Sequence, residues 1–152
     1  MVVKKEANWN LMGAAEKLLE FQFPAKSENL CTLREKLREV LEDYSPSEDL
    51  LNCVVLAVGE AAMNIIEHAY GDGEGGDIIL EIEKQDDSMV FRLTDFAHRK
   101  TRENEMTSRP LEEIRPGGLG CHIINEIMDE VQLIDCGSEC GNVLQMKKSL
   151  KD

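Results

Sequence analysis

Positive charge is what this chain has least of: 17 Lys and Arg stand against 30 Asp and Glu in 152 residues, a formal charge of −13. Affinity for a nucleic-acid backbone comes chiefly from Lys and Arg that release counterions around phosphates, so no direct nucleic-acid partner is expected. A small ligand or a protein fits the charge better, and an acidic surface can still receive a basic partner. Paired cysteines are lacking as well. Cys31, Cys53, Cys121, Cys136 and Cys140 include no Cys-x-x-Cys, and no His stands at zinc-ligand spacing from them. That argues against a structural zinc or a disulfide framework and for reduced thiols. Nothing before Leu19 has the continuous apolar stretch of a signal peptide, and nowhere is there a run of bilayer length. A cytoplasmic protein with no membrane association is the expectation. Internal repeats and low-complexity tracts are also missing.

What is present fits one domain, since 152 residues with 42% hydrophobic content can bury a core without metal or disulfides. Residues 1–17 show no period and are expected to be a loosely ordered N-terminal segment, leaving residues 18–152 as the folded domain. Leu19, Phe21 and Phe23 alternate with Glu20 and Gln22, as a half-buried strand does, and Pro24 closes it. Ser27 is placed to cap a helix whose apolar positions are Leu30, Leu33, Leu37, Val40 and Leu41. Ser45, Pro46 and Glu48 read as a second helix start, with that helix running to about Tyr70. Gly71, Gly73, Gly75 and Gly76 break the chain. Ile78, Leu80 and Ile82, then Met89, Phe91 and Leu93, alternate as two strands of a hairpin turning at Gln85 to Ser88. From Asp95 to Gly120 the chain has little periodicity and more length than a plain connection needs, which predicts a mobile lid. A helix bearing Ile123, Ile124, Ile127 and Met128 follows. A strand beginning near Val131, a turn from Gly137 to Asn142 and a last strand from Val143 to Lys148 complete the chain. The pattern predicts an α+β fold, a two-layer α/β sandwich whose mostly antiparallel sheet is covered by helices on one face.

Three constellations could carry chemistry. In the long apolar helix Glu60, Asn64 and His68 recur at every fourth position and so share one face, flanked by the small residues Gly59, Ala61 and Ala62. They form either the solvated side of an amphipathic helix or a reacting stripe. In the second reading an Asn oxygen suits Mg²⁺, and a Glu one turn away can take a proton from an attacking hydroxyl. Asp95 ends a strand, where it either caps a turn or accepts a hydrogen bond from an exocyclic amine. Arg115-Pro116-Gly117-Gly118-Leu119-Gly120 opens a helix and is either a glycine hinge or a phosphate cradle at a helix N-terminus. It lacks the Lys-Ser/Thr of a P-loop, and no Gly-x-Gly-x-x-Gly follows a strand.

Taken in order, Glu60-Ala-Ala-Met-Asn64-Ile-Ile-Glu-His68-Ala-Tyr70, Asp95, Gly117-Gly-Leu-Gly120 and Ile-Met-Asp129-Glu-Val131 resemble the bacterial anti-sigma-factor serine kinases. These belong to the histidine-kinase-like, or Bergerat, ATPase superfamily, and the resemblance covers about Leu19 to Leu150. It implies the Bergerat ATP-binding fold, with ATP and Mg²⁺ as cofactors. It further implies Glu60 as catalytic base, Asn64 as magnesium ligand, and His68 and Asp95 in the nucleotide site, with Asp95 on the adenine. Gly118, Leu119, Gly120 and Cys121 correspond to the end of the lid that wraps the phosphates. Arg34 is similar to a first-helix arginine that helps some members bind partners.

The implied activity is phosphorylation of a serine on a STAS-type anti-anti-sigma protein, coupled to sequestration of a sigma factor or other regulator, often by a homodimer. One position departs from the family pattern: Ala97 stands where Asp-x-Gly has glycine. If a positive φ is needed there, its Cβ costs on the order of 1 kcal/mol and weakens ATP binding several-fold. A partner-switching binding module that has lost transfer is therefore the rival expectation. An accessory of a phosphorelay ranks behind both, because no separate dimerisation helices carry a phosphoacceptor His. His98 and His122 lack matching partners in sequence and read as surface or pocket-lining residues.

Overall fold

Stretches in which every second residue is apolar form the sheet of the computed structural model, which describes residues 15–44, 47–67, 76–96, 119–135 and 141–150. The strands are β1 (Ala15–Pro24), β2 (Asp77–Gln85), β3 (Ser88–Asp95), β4 (Glu130–Asp135) and β5 (Asn142–Ser149). They make one five-stranded sheet in the order β1-β2-β3-β5-β4, and every neighbouring pair is antiparallel. β2 and β3 meet in a hairpin that turns at Asp86, whose φ of 52° is a conformation Asp tolerates better than most residues. β1 begins at Ala15, upstream of the alternation that starts at Leu19. Its register shifts between Lys17 and Leu19, and such a bulge moves the following side chains to the opposite face, which hides the strand's first residues from a period-two reading.

One face of the sheet carries Phe23, Ile78, Leu80, Ile82, Met89, Phe91, Leu93 and Met146 into the core. Helices α1 (Leu30–Glu42), α2 (Glu48–Ile65) and α3 (Leu119–Ile127) supply the other half of that core. α1 buries Leu30, Leu33, Leu37 and Leu41, the stripe its spacing predicts. β3 is central and buried from Met89 to Asp95. The outward-facing Arg92, only 2% exposed, is held by Glu83 at 3.0 Å and by Gln145 at 2.9 Å. The two-layer α+β arrangement with an antiparallel sheet is thus the one expected.

Two helix starts differ from expectation. Ser27 does not cap α1: the chain enters through a 3-10 turn, Ser27–Asn29, in which the Leu30 N–H bonds the Ser27 carbonyl, and no side chain caps the helix. Such i→i+3 bonds do part of a cap's work. α2 is capped by Ser47, whose Oγ accepts from the Leu50 N–H at 3.1 Å, with Glu48 and Asp49 complementing the helix dipole in the first turn. Ser45 and Pro46, expected to begin that helix, lie outside the described residues. So does its expected end at Tyr70; the regular helix stops at Ile65 and continues through Ile66 and Glu67 as a wider, π-type turn. No helix among the described residues is long and apolar enough to cross a membrane.

Candidate functional site

α2 is the spine of the candidate site. Leu51, Val54, Val55, Ala57, Val58, Ala61, Ala62 and Ile65 pack it into the core, so its rotation about its own axis is fixed by many apolar contacts. That rotation brings Glu60 and Asn64 out together, one turn apart and both half-buried. Near its end the Ile66 N–H is shared by the Ala62 and Met63 carbonyls, and the wider turn follows at Ile66 and Glu67, just beyond Asn64. α3 packs against α2. Leu119, Gly120 and Cys121 form the first turn of α3, and their side chains are outside the described residues. His68, Ala97 and Gly118 fall wholly outside them, as do His98 and the expected lid. His122 is exposed on α3.

Asp95 closes β3 and is 1% exposed. Alternation along β3 puts its side chain on the face of Phe91 and Leu93, the helix-covered side. A buried carboxylate needs partners, and one is Asn142, which faces it across β3 and β5 and donates from Nδ2 to Oδ1 at 3.1 Å. Beneath this pair lies Gly141, with a φ of +83°. A Cβ there would stand 2.5 Å from the Asp95 carbonyl oxygen and 2.8 Å from the Phe96 ring, closer than real Cβ contacts. Sequence reasoning did not single out Asn142 or Gly141: it read Gly137 to Asn142 as a turn only. The signal available was an Asn following a glycine, and it acquires meaning only from the β3–β5 register.

Arg34 of α1 borders Gly59, the residue next to Glu60 on α2. An added Cβ at Gly59 would be 3.1 Å from Arg34 Nε. Arg38, one turn further along α1, donates from Nη2 to Asn52 Oδ1 of α2 at 2.8 Å. Among the described residues no group of His, Cys, Asp and Glu could by itself hold a metal ion. An all-protein metal cage is therefore not what this donor set offers. A single carboxamide ligand such as Asn64, with waters and ligand oxygens filling the rest of the shell, is how Mg²⁺ is commonly held.

The family model for the histidine kinase-like ATPase domain matches residues 23–148. Among curated proteins, a serine-protein kinase RsbW of Halalkalibacterium halodurans is 31% identical over 140 residues, 88% of this chain and 83% of the relative. The RsbW of Oceanobacillus iheyensis is 27% identical over 141 residues, covering 88% and 87%. That of a Bacillus cereus strain is 30% identical over 125 residues, covering 76% of each. A solved structure of the RsbU and RsbW domains of a Mycobacterium tuberculosis protein superposes with a TM-score of 0.60 at 16% identity. That match covers 86% of this chain and 31% of the other, and shows the fold alone. With its ordered motifs, its sheet and helix layer and these relatives, the chain belongs to the histidine kinase-like ATPase domain family, among the bacterial anti-sigma-factor serine kinases.

Proposed function

We propose that this protein transfers the γ-phosphoryl group of ATP to a serine of a STAS-type anti-anti-sigma protein, and sequesters a sigma factor or other regulator when that partner is phosphorylated and released. The observation that carries the reading is the placement of Glu60 and Asn64 one turn apart on a core-packed helix, above a sheet whose central strand ends in the buried Asp95. Asp95 accepts from the adenine amine, its carboxylate steadied by Asn142. Asn64 offers its oxygen to Mg²⁺, which when bound neutralises charge on the phosphate oxygens. Glu60 takes the proton of the attacking serine hydroxyl as the new P–O bond forms and the bond to ADP breaks. The helix start at Leu119 is aimed by the same logic at the phosphates. Arg34 engages the protein partner. Most of the acceleration is positioning and charge stabilisation, as in phosphoryl transfer generally.

The test is incubation of the full chain with ATP, Mg²⁺ and the STAS-type protein encoded beside it, reading phosphoserine by mass spectrometry. Serine phosphate should form, and Glu60→Gln should slow it by about 10²- to 10⁴-fold, the usual worth of a positioned general base. Equal rates in both proteins would refute Glu60 as the base, and no phosphate in either would refute the kinase reading. The second reading, a binding module without transfer, is favoured by Ala97 in the Asp-x-Gly position. It requires that calorimetry find no ATP affinity at millimolar nucleotide.

A further inference from the structure

We infer that Gly59 is a positioning residue for the protein acceptor: its missing side chain is the seat on which the Arg34 guanidinium lies, next to the proposed base Glu60. This rests on the reading of Arg34 as a partner-binding residue and adds what holds it in place. Gly59 is buried within α2, and what occupies its side-chain space is Arg34. A Cβ built there would meet Nε at 3.1 Å, Nη2 at 3.6 Å and Cζ at 3.8 Å, so the guanidinium borders the space a side chain would take. Glycine in a helix interior is unfavourable relative to alanine, so its place within α2 calls for a reason.

The two arginines of α1 make an internal contrast. Arg38 is tied to Asn52 by a hydrogen bond. Arg34 has no hydrogen-bond or ion-pair partner among the described residues, and what it meets there is the open side of Gly59. A guanidinium carries its donors in a planar fork suited to a carboxylate and stays charged at any working pH. On a chain of formal charge −13 a half-buried arginine is a point to which an acidic segment is drawn against the overall field. The occupant that matches it is a carboxylate of the acceptor protein close to its reacting serine. Because residue 60 follows residue 59 on the same helix, binding that carboxylate sets the distance between the acceptor hydroxyl and Glu60.

The neighbour of Gly59 is the tip of a flexible side chain, so an alanine is accommodated by moving Arg34 and not by disturbing α2. Titrating the STAS-type acceptor into the ADP- and Mg²⁺-loaded protein reads affinity without requiring transfer. Arg34→Ala should weaken acceptor binding by about 10-fold or more, the scale of a charge-assisted contact. Gly59→Ala should weaken it by about 3- to 10-fold, with ADP affinity unmoved and a Tm equal to or above that of the parent. In an Arg34→Ala background Gly59→Ala should change nothing further, since the seat acts only through its occupant. Normal acceptor affinity in Gly59→Ala, with a loss in Arg34→Ala, overturns the seat and leaves the role of Arg34 standing. No loss in Arg34→Ala overturns both. A Gly59→Ala defect that persists undiminished in the Arg34→Ala background shows a structural effect of residue 59 and overturns the inference as well.

Discussion

The two ends of the candidate site each depend on a glycine, and for different reasons. At the Asp95 end, the missing side chain of Gly141 makes room for backbone and for an aromatic ring: the Asp95 carbonyl oxygen 2.5 Å from where a Cβ would be, and Phe96 at 2.8 Å. At the Glu60 end, the missing side chain of Gly59 makes room for the movable tip of Arg34 at 3.1 Å. The first neighbour cannot give way without dragging the end of a central strand. The second can swing aside. Exposure runs in the same direction: Asp95 is 1% exposed, whereas Glu60 and Arg34 are half-buried. The end that would hold a small rigid base is built rigid, and the end that would meet a protein is open and adjustable.

Adding one methyl group to each glycine tests this contrast, and the larger effect belongs to Gly141. Gly141→Ala forces an L side chain into a φ of +83° as well as against the Asp95 carbonyl. The left-handed conformation and the clash together should cost about 2–3 kcal/mol. For a chain of this size that lowers Tm by roughly 5–10 °C, measurable by calorimetry, with nucleotide affinity falling as the end of β3 shifts. Gly59→Ala should not lower Tm. Equal destabilisation by the two would show that they serve the same packing purpose, and the contrast between the ends would be lost.

Asp95→Asn comes next and separates affinity from stability. The substitution keeps the shape but replaces a charged acceptor with a neutral one that has a single oxygen to share between Asn142 and an adenine amine. Hydrogen bonds to charged groups are worth about 1.5–3 kcal/mol, so ADP affinity should fall by roughly 10- to 100-fold. Stability should hold or rise, because a carboxylate 1% exposed no longer has to be desolvated. Calorimetric titration and thermal unfolding of the same preparation give both quantities. Unchanged ADP affinity would remove Asp95 from the base-binding role.

How much of this was legible in the sequence follows from how local each feature is. Glu60 and Asn64 could be paired on one helical face because residues four apart are neighbours wherever the helix lies. The strands of the sheet were readable because alternation is local too, down to the β2–β3 hairpin. Helix starts were read less well: the cap of α2 is Ser47, and Ser27 leads into a 3-10 turn. Several serines compete for each start, and the direction in which the chain leaves the preceding element decides among them. Contacts between distant segments were not legible. Asn142 and Asp95 are 47 positions apart and meet through the β3–β5 register. Arg34 reaches Gly59 only because α1 crosses α2 there. The expected roles of His68, Ala97 and Gly118 fall on residues outside those described.

Asn142→Ala carries the smallest effect and the finest distinction. Its Nδ2 holds Asp95 Oδ1 at 3.1 Å, which fixes the rotation of the carboxylate and aims the remaining lone pairs. Without it the carboxyl group stays buried but gains freedom about its own axis. Stability should drop by about 1–2 kcal/mol, the cost of a lost partner to a charged acceptor. ADP affinity should drop by about 3- to 10-fold, since orientation and not charge is lost. GDP discriminates between orientation and general loosening. Guanine presents an oxygen where adenine presents an amine, so a well-aimed carboxylate repels it, and weak GDP binding should be unaffected or slightly improved in Asn142→Ala. A narrowed ratio of ADP to GDP affinity measured by calorimetry would identify Asn142 as the residue that aims Asp95. A parallel fall in both affinities would mean that it only braces the end of the sheet, and the rigid end would owe its selectivity to Asp95 and Gly141 alone.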